Sequence, residues 1–183
     1  DRFLKNQEAI TKHVLAGKDC LVVMPTGSGK SLCYQIPAML MNGLTVVISP
    51  LISLMKDQVG QLQEYGIKAV CLNSQLDWHD YRKNQQQIQE GKVDLLYLAP
   101  ETLLLDRTLE LLHKVDVASF AVDEAHCISE WGHDFRPEYR QIAGIREQFD
   151  DPVLMAFTAT ATPRVQKDIM TSLELRHDKK FVS

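Results

Sequence analysis

The sequence has no apolar run long enough to cross a membrane, no signal peptide and no lipidation motif. A cytoplasmic protein without membrane contact is expected, or a nuclear one in a eukaryote. It also lacks any C-x-x-C pair. Cys20, Cys33, Cys71 and Cys127 are scattered, three of them in or beside apolar runs, which reads as buried reduced thiols and argues against zinc. Basic residues are not in excess: 20 Lys and Arg against 24 Asp and Glu leave a net charge of -4. That balance excludes a polybasic nucleic-acid clamp, so any such contact must come from local groups. An initiator Met is missing, the chain opens on Asp1-Arg-Phe, and Phe181 to Ser183 read as the start of another strand, so an excised piece of a longer protein is expected. What is present is ordinary globular material. With 183 residues, 45% hydrophobic and 24% charged, the chain can bury one α/β core.

The chemistry concentrates in two stretches. Met24-Pro-Thr-Gly-Ser-Gly-Lys-Ser31 follows the apolar run Cys20 to Val23 and leads into a helix-compatible segment, which reads as strand, glycine turn, helix. Gly27 and Gly29 let the backbone of Thr26 to Ser31 turn its N–H groups inward around a phosphate, with Ser28 between them. Lys30 then supplies charge to the β- and γ-phosphates of a nucleotide, and Ser31 a hydroxyl for Mg²⁺. Only the second half of the strict phosphate-loop pattern is matched, because Met24 stands where Gly is usual. The second stretch is Phe120-Ala-Val-Asp-Glu-Ala-His126, an apolar run ending in two carboxylates. At a strand's carboxyl end the chain turns, so Asp123 and Glu124 can reach one site, one holding Mg²⁺ and the other polarising water.

Between these, apolar runs alternate with helical patterns. Residues 5 to 16 read as a helix closed by Gly17, with Gln7 in its first turn. Leu32 to Met41 reads as a helix containing Pro37, and Leu44 to Ile48 as a strand. Ser49 as cap and Pro50 as first residue open the next helix, running to about Tyr65. Ala69 to Leu72 is a strand, and Asp77 to Glu90 a glutamine-rich helix read as a solvated face. Leu95 to Ala99 is a strand followed by a helix from Pro100-Glu101 to about Lys114. Ser119 to Val122 is the strand carrying the acidic pair, Pro137 to Phe149 a helix, Val153 to Phe157 a strand, and Thr162-Pro163 a further helix start. The expectation is an α/β fold: a mostly parallel sheet with helices on both faces and the functional residues along its carboxyl edge.

With these residues in view, the chain resembles the first RecA-like lobe of the RecQ-family DNA helicases. The resemblance rests on Phe3 to Ile10, Met24 to Pro37, Val46 to Val59, Leu96 to Glu101, Asp123 to Tyr139 and Phe157 to Thr162. The family does not keep the first phosphate-loop glycine, which accounts for Met24. It implies a RecA-like P-loop NTPase fold over residues 1–183 and an ATP-dependent 3′→5′ DNA helicase. The implied catalytic set is Lys30, Asp123, Glu124 and His126, with Ser31 and Asp123 on Mg²⁺ and Gln7 reading adenine. Leu4 stands where the family usually has Arg. Trp131, His133, Phe135 and Arg136 correspond to the aromatic-rich loop that links single-stranded DNA to hydrolysis in this family, while Thr158 and Thr160 transmit nucleotide state. Helix starts at Ser49-Pro50 and Pro100-Glu101 are expected to hold the DNA backbone, with Ser53 and Lys56 contributing. The implied partners are single-stranded and branched DNA and a second RecA-like lobe. A DEAH-type RNA helicase lobe and a non-catalytic nucleotide-gated module stay open as alternatives.

Overall fold

Six short, mainly apolar stretches become strands because each is bounded by turn residues and is buried over most of its length, and a seventh strand, half charged and largely exposed, pairs at the edge. They are β1 (Cys20–Val23), β2 (Leu44–Ile48), β3 (Ala69–Leu72), β4 (Leu95–Leu98), β5 (Val117–Val122), β6 (Val153–Thr158) and β7 (Lys179–Val182). The computed structural model describes residues 2–25, 29–176 and 179–182, with side chains from residue 6 onward. The strands form one sheet in the order β3-β4-β2-β5-β6-β1-β7. Every pairing among the described residues is parallel. The fold is therefore the expected α/β architecture.

Alternation along each strand divides the core in two. On β1, Leu21 and Val23 face one cluster while Cys20 and Val22 face the other. The second cluster is closed by α1 (Arg2–Leu15), α2 (Leu32–Leu40) and α3 (Ile52–Glu64), through Ile10, Tyr34 and Met55. The first is closed by α4 (Trp78–Gln89), α6 (Asp106–His113), α7 (Ile142–Arg146) and α8 (Pro163–Ser172), through Ile88, Leu112, Ile145 and Ile169. The four cysteines are free and buried. Burial pushes the Cys33 thiol up to about 11 and Cys127 to about 12, as inert core thiols require.

Three expected helices come out differently. α3 starts at Ile52 with Leu51 as its cap residue, not at Ser49-Pro50. The Ser49 hydroxyl instead accepts from the Leu51 N–H at 3.2 Å, and this local turn delays the helix by two residues. After β4 the expected single helix is two, α5 (Pro100–Leu103) and α6, separated at Leu104 and Leu105. Pro137 to Phe149 is a 3₁₀ segment over Pro137–Gln141 followed by the short α7. By contrast Thr162 caps α8 as expected, its Oγ1 accepting from the Val165 N–H at 3.2 Å. Gly17 closes α1 with φ +81, and its N–H donates to the Val14 carbonyl at 2.9 Å.

Opposite the functional edge lies a feature the sequence pattern gave no sign of. Asp19, fully buried just before β1, accepts from both terminal nitrogens of Arg146, at 2.6 and 2.8 Å. It also accepts from the backbone N–H of Leu154 at 2.9 Å and of Arg176 at 2.7 Å. The Arg146 Nε–H donates to the Pro152 carbonyl at 3.0 Å. One carboxylate thus ties α7, the start of β6 and the segment after α8 to the entry of β1. Asp19 accepts two bonds at each oxygen and Arg146 donates from all three nitrogens, the kind of satisfaction a buried ion pair needs to persist.

Candidate nucleotide-hydrolysis site

β1 ends at Val23 and the chain passes through residues 26–28, so the expected contacts of Thr26, Gly27 and Ser28 lie outside the described residues. On the far side Gly29 has φ +81, a left-handed turn that glycine adopts without Cβ strain. It leads directly to Lys30 and Ser31 at the start of α2.

Lys30 points across the sheet edge to the end of β5. Its Nζ lies 3.2 Å from Asp123 Oδ1 and 3.8 Å from Glu124 Oε1. The geometry that brings both carboxylates there is a backbone reversal: Glu124 has φ 52 and ψ 43, the left-handed region, immediately after the strand. Successive residues that would point to opposite faces in an extended strand converge instead. Asp123 is fixed twice more, its Oδ1 accepting from the Glu124 N–H at 2.9 Å and its carbonyl accepting from the Tyr139 hydroxyl at 2.9 Å. Burial pushes the Glu124 carboxyl above its usual value, against the opposing pull of Lys30. A carboxylate raised in this way is a better proton acceptor than a free one.

His126 stands behind the pair. Its Nδ1 is 2.8 Å from Thr158 Oγ1, whose single proton goes to the Thr160 carbonyl at 3.1 Å. The hydroxyl therefore accepts from Nδ1–H, which fixes the tautomer and leaves Nε2 as the free lone pair. Burial lowers the His126 pKa, helped by His133 and Lys30, so the imidazole is neutral near pH 7. Nδ1 also lies 3.6 Å from Glu124 Oε2, and the ring stacks on His133 with centroids 4.2 Å apart. One continuous set of contacts runs from Glu124 through His126 to Thr158 and Thr160.

The segment after His126 folds back upon it. The Arg136 N–H donates to the Cys127 carbonyl at 2.8 Å, and a Cβ at Gly132 would lie 3.1 Å from the His126 carbonyl. Trp131 stands exposed, with the Arg164 guanidinium 3.3 Å from its ring centroid. Phe135 lies under Arg140 at 5.8 Å, and Arg136 pairs with Asp134 at 3.6 Å. A cavity of about 400 Å³ separates this loop from the start of α8 and is lined by His126, Trp131, His133 and Thr160. Tyr139 and Arg164 escaped the sequence reading. Tyr139 closes the family-specific stretch and Arg164 directly follows Thr162-Pro163, but a tyrosine and an arginine carry no pattern of their own.

Gln7 is buried on α1, which packs on α2, and its Nε2 has no partner among the described residues. Ser53 and Lys56 are exposed on α3, in its first turn and one turn later. The phosphate-binding expectation at Pro100 does not survive: α5 is a single turn, too short for its dipoles to sum. That at Ser49-Pro50 moves to Ile52, where α3 begins.

Mg²⁺ bound through nucleotide phosphates takes one or two protein oxygens. The residues present fit that demand. Asp123 offers its second carboxylate oxygen, and the Ser31 hydroxyl makes no capping bond to α2.

The sequence is 50% identical over 180 residues to the ATP-dependent DNA helicase RecQ of Haemophilus influenzae, covering 98% of this chain and 29% of that protein. It is 48% identical over 180 residues to RecQ of Bacillus subtilis, covering 97% of this chain and 30% of that protein. The chain thus spans less than a third of the length of these relatives. Among solved structures, the DUF1998 helicase MrfA bound to DNA superposes with a TM-score of 0.76 at 19% identity, over 97% of this chain and 27% of that one. That likeness identifies the fold as the RecA-like one. Residues 4–169 match the DEAD/DEAH box helicase family. A phosphate-loop lysine facing an Asp-Glu-Ala-His turn, the two RecQ similarities and this match lead to one conclusion: the chain belongs to the DEAD/DEAH box helicases and is similar to their RecQ members.

Proposed function

We propose that residues 1–183 are the first RecA-like lobe of an ATP-dependent DNA helicase, acting in repair or recombination in the cytoplasm or nucleoid. The observation that carries this reading is the 3.2 Å approach of Lys30 to Asp123, which sets a phosphate-binding cation beside a metal-binding carboxylate at one sheet edge. Lys30 and the loop amides hold the β- and γ-phosphates, and Ser31 and Asp123 hold Mg²⁺, which when bound neutralises developing phosphate charge. Glu124 orients the attacking water and accepts its proton. His126, Thr158 and Thr160 relay nucleotide state to the loop of Trp131, His133, Phe135 and Arg136. There the exposed Trp131, with Arg164 over one face of its ring, offers a stacking surface to a DNA base. The 3′→5′ polarity rests on resemblance to RecQ helicases.

Such a motor needs a second lobe to supply a cation to the transition state, so this lobe alone is expected to bind ATP and hydrolyse it slowly. The deciding measurement is ATP turnover by the 183-residue chain and by a full-length protein, each with single-stranded DNA or RNA. We expect strong DNA stimulation in the longer protein and little in the lobe. Stimulation by RNA alone, or efficient DNA-stimulated turnover by the lobe, overturns the corresponding part of the reading. Replacing Ser53 and Lys56 by Ala should weaken strand binding without changing ATP affinity.

The orphaned Gln7 amide suits adenine, which offers an N7 acceptor and an N6 donor. Gln7→Ala is expected to cost about tenfold in the preference for ATP over GTP, within the ~1–3 kcal/mol of a bidentate pair. Because a buried donor without a partner is removed, thermal stability should not fall. Unchanged nucleotide preference would remove Gln7 from the site.

A further inference from the structure

The glutamine-rich helix α4 is read from sequence as a solvated face, yet a wide groove lies beside it. A groove of about 1030 Å³ runs between α4 and α6. Arg82 and Lys83 line one wall and Arg107 and Lys114 the other, and all four are exposed. Against them stand Glu110 and Glu90, the latter already paired with Lys92 at 3.2 Å. The groove is thus locally cationic on a chain of net charge -4. At its mouth Trp78 is 65% exposed, stacked on Tyr81 with rings 12° from parallel and centroids 5.9 Å apart. Arg82 lies 5.9 Å from the Trp78 ring centroid and Arg107 5.4 Å from that of Tyr81.

We propose that this groove is a second single-stranded DNA contact, separate from the aromatic loop, with Trp78 as a base-stacking platform and Arg82, Lys83, Arg107 and Lys114 as phosphate partners. This rests on the DNA-helicase reading above and extends it. Topology supplies the connection. α4 follows the carboxyl end of β3 and α6 follows α5 at the carboxyl end of β4, so Trp78 and Arg107 stand at the same sheet edge as Asp123. In the sheet, β3 stands three strands from β5, about 14 Å at ~4.8 Å per strand, so the groove lies to the β3 side of the acidic pair. A strand crossing that edge reaches the groove mouth. A flat indole flanked by guanidinium groups suits a nucleotide, which presents one base face and one phosphate per unit; an acidic peptide presents charge without the face. The twelve residues of α4 span about 18 Å, room for several nucleotides.

The test uses the 183-residue chain with Trp131→Phe, which leaves Trp78 as the single indole of the two in the sequence. Long oligothymidylates are expected to quench its fluorescence and short ones not. Arg82→Ala with Arg107→Ala should weaken long-strand binding about tenfold and flatten the salt dependence by ~0.7 in log-log slope per arginine, leaving short-strand and ATP affinity unchanged. The paired Lys variants should restore most of the slope. Unchanged long-strand affinity, or bound DNA that leaves Trp78 unquenched, overturns the groove while the helicase reading stands. Quenching by polyglutamate but not DNA assigns the groove to an acidic protein partner instead. If no oligonucleotide of any length binds while ATP does, the DNA reading itself has failed.

Discussion

Glu124→Gln is expected to leave ATP bound and unhydrolysed in a full-length protein. The amide keeps the size and the contact with Lys30 but cannot accept a proton, and loss of a positioned base costs about 10²- to 10⁴-fold in rate. Phosphate release should fall by that factor while the affinity for a fluorescent ATP analogue stays the same or tightens. The pH dependence provides a second reading. Since burial raises the folded pKa of Glu124, hydrolysis in the unaltered protein should rise with pH through a value above that of an ordinary glutamate and then level off. The linkage sign agrees: a carboxyl raised on folding binds more protons in the folded state, so it detracts from stability once pH exceeds its unfolded pKa. Glu124→Gln should therefore not lower the melting temperature at neutral pH. Lys30→Ala, in contrast, is expected to lose nucleotide binding as well as turnover. Normal turnover in the glutamine variant would remove Glu124 from the chemistry.

The other large effect is one of stability. Asp19→Ala leaves Arg146 charged and 4% exposed with no anion, and strips the acceptor from the backbone N–H groups of Leu154 and Arg176. Breaking a buried pair on one side costs about 3–5 kcal/mol, which in a domain of this size is on the order of 10 °C in melting temperature. Replacing both partners, Asp19→Ala with Arg146→Met, should recover only part of this. The two orphaned amides remain, at about 1–3 kcal/mol each. Full recovery in calorimetry or chemical denaturation would show that the charge pair alone mattered and that the amide contacts are dispensable.

The two cases mark what could be read beforehand. Asp123, Glu124 and Lys30 were legible because strand, glycine turn and terminal carboxylates are local patterns whose meaning follows from where a parallel sheet ends. The strands were legible for a similar reason: β2 and β3 have the expected bounds because both their faces are apolar. Asp19 was not. It acts on residues 127 and more positions away, and nothing near it in the chain distinguishes it from a polar residue in a turn. The start of α3 was misread because Ser49-Pro50 satisfies a cap pattern, whereas the serine hydroxyl serves a turn to Leu51 instead. The groove beside α4 escaped because its walls come from two helices, each of which looks merely hydrophilic alone.

The left-handed backbone at Glu124 narrows what can ever occupy that position. A branched residue such as Val or Thr is penalised there before any question of reactivity arises, while Gly, Asn and Asp tolerate it. Drift at residue 124 is thus channelled toward small or polar replacements that keep the turn and lose the reaction, so a descendant with a silent cleft would retain its shape.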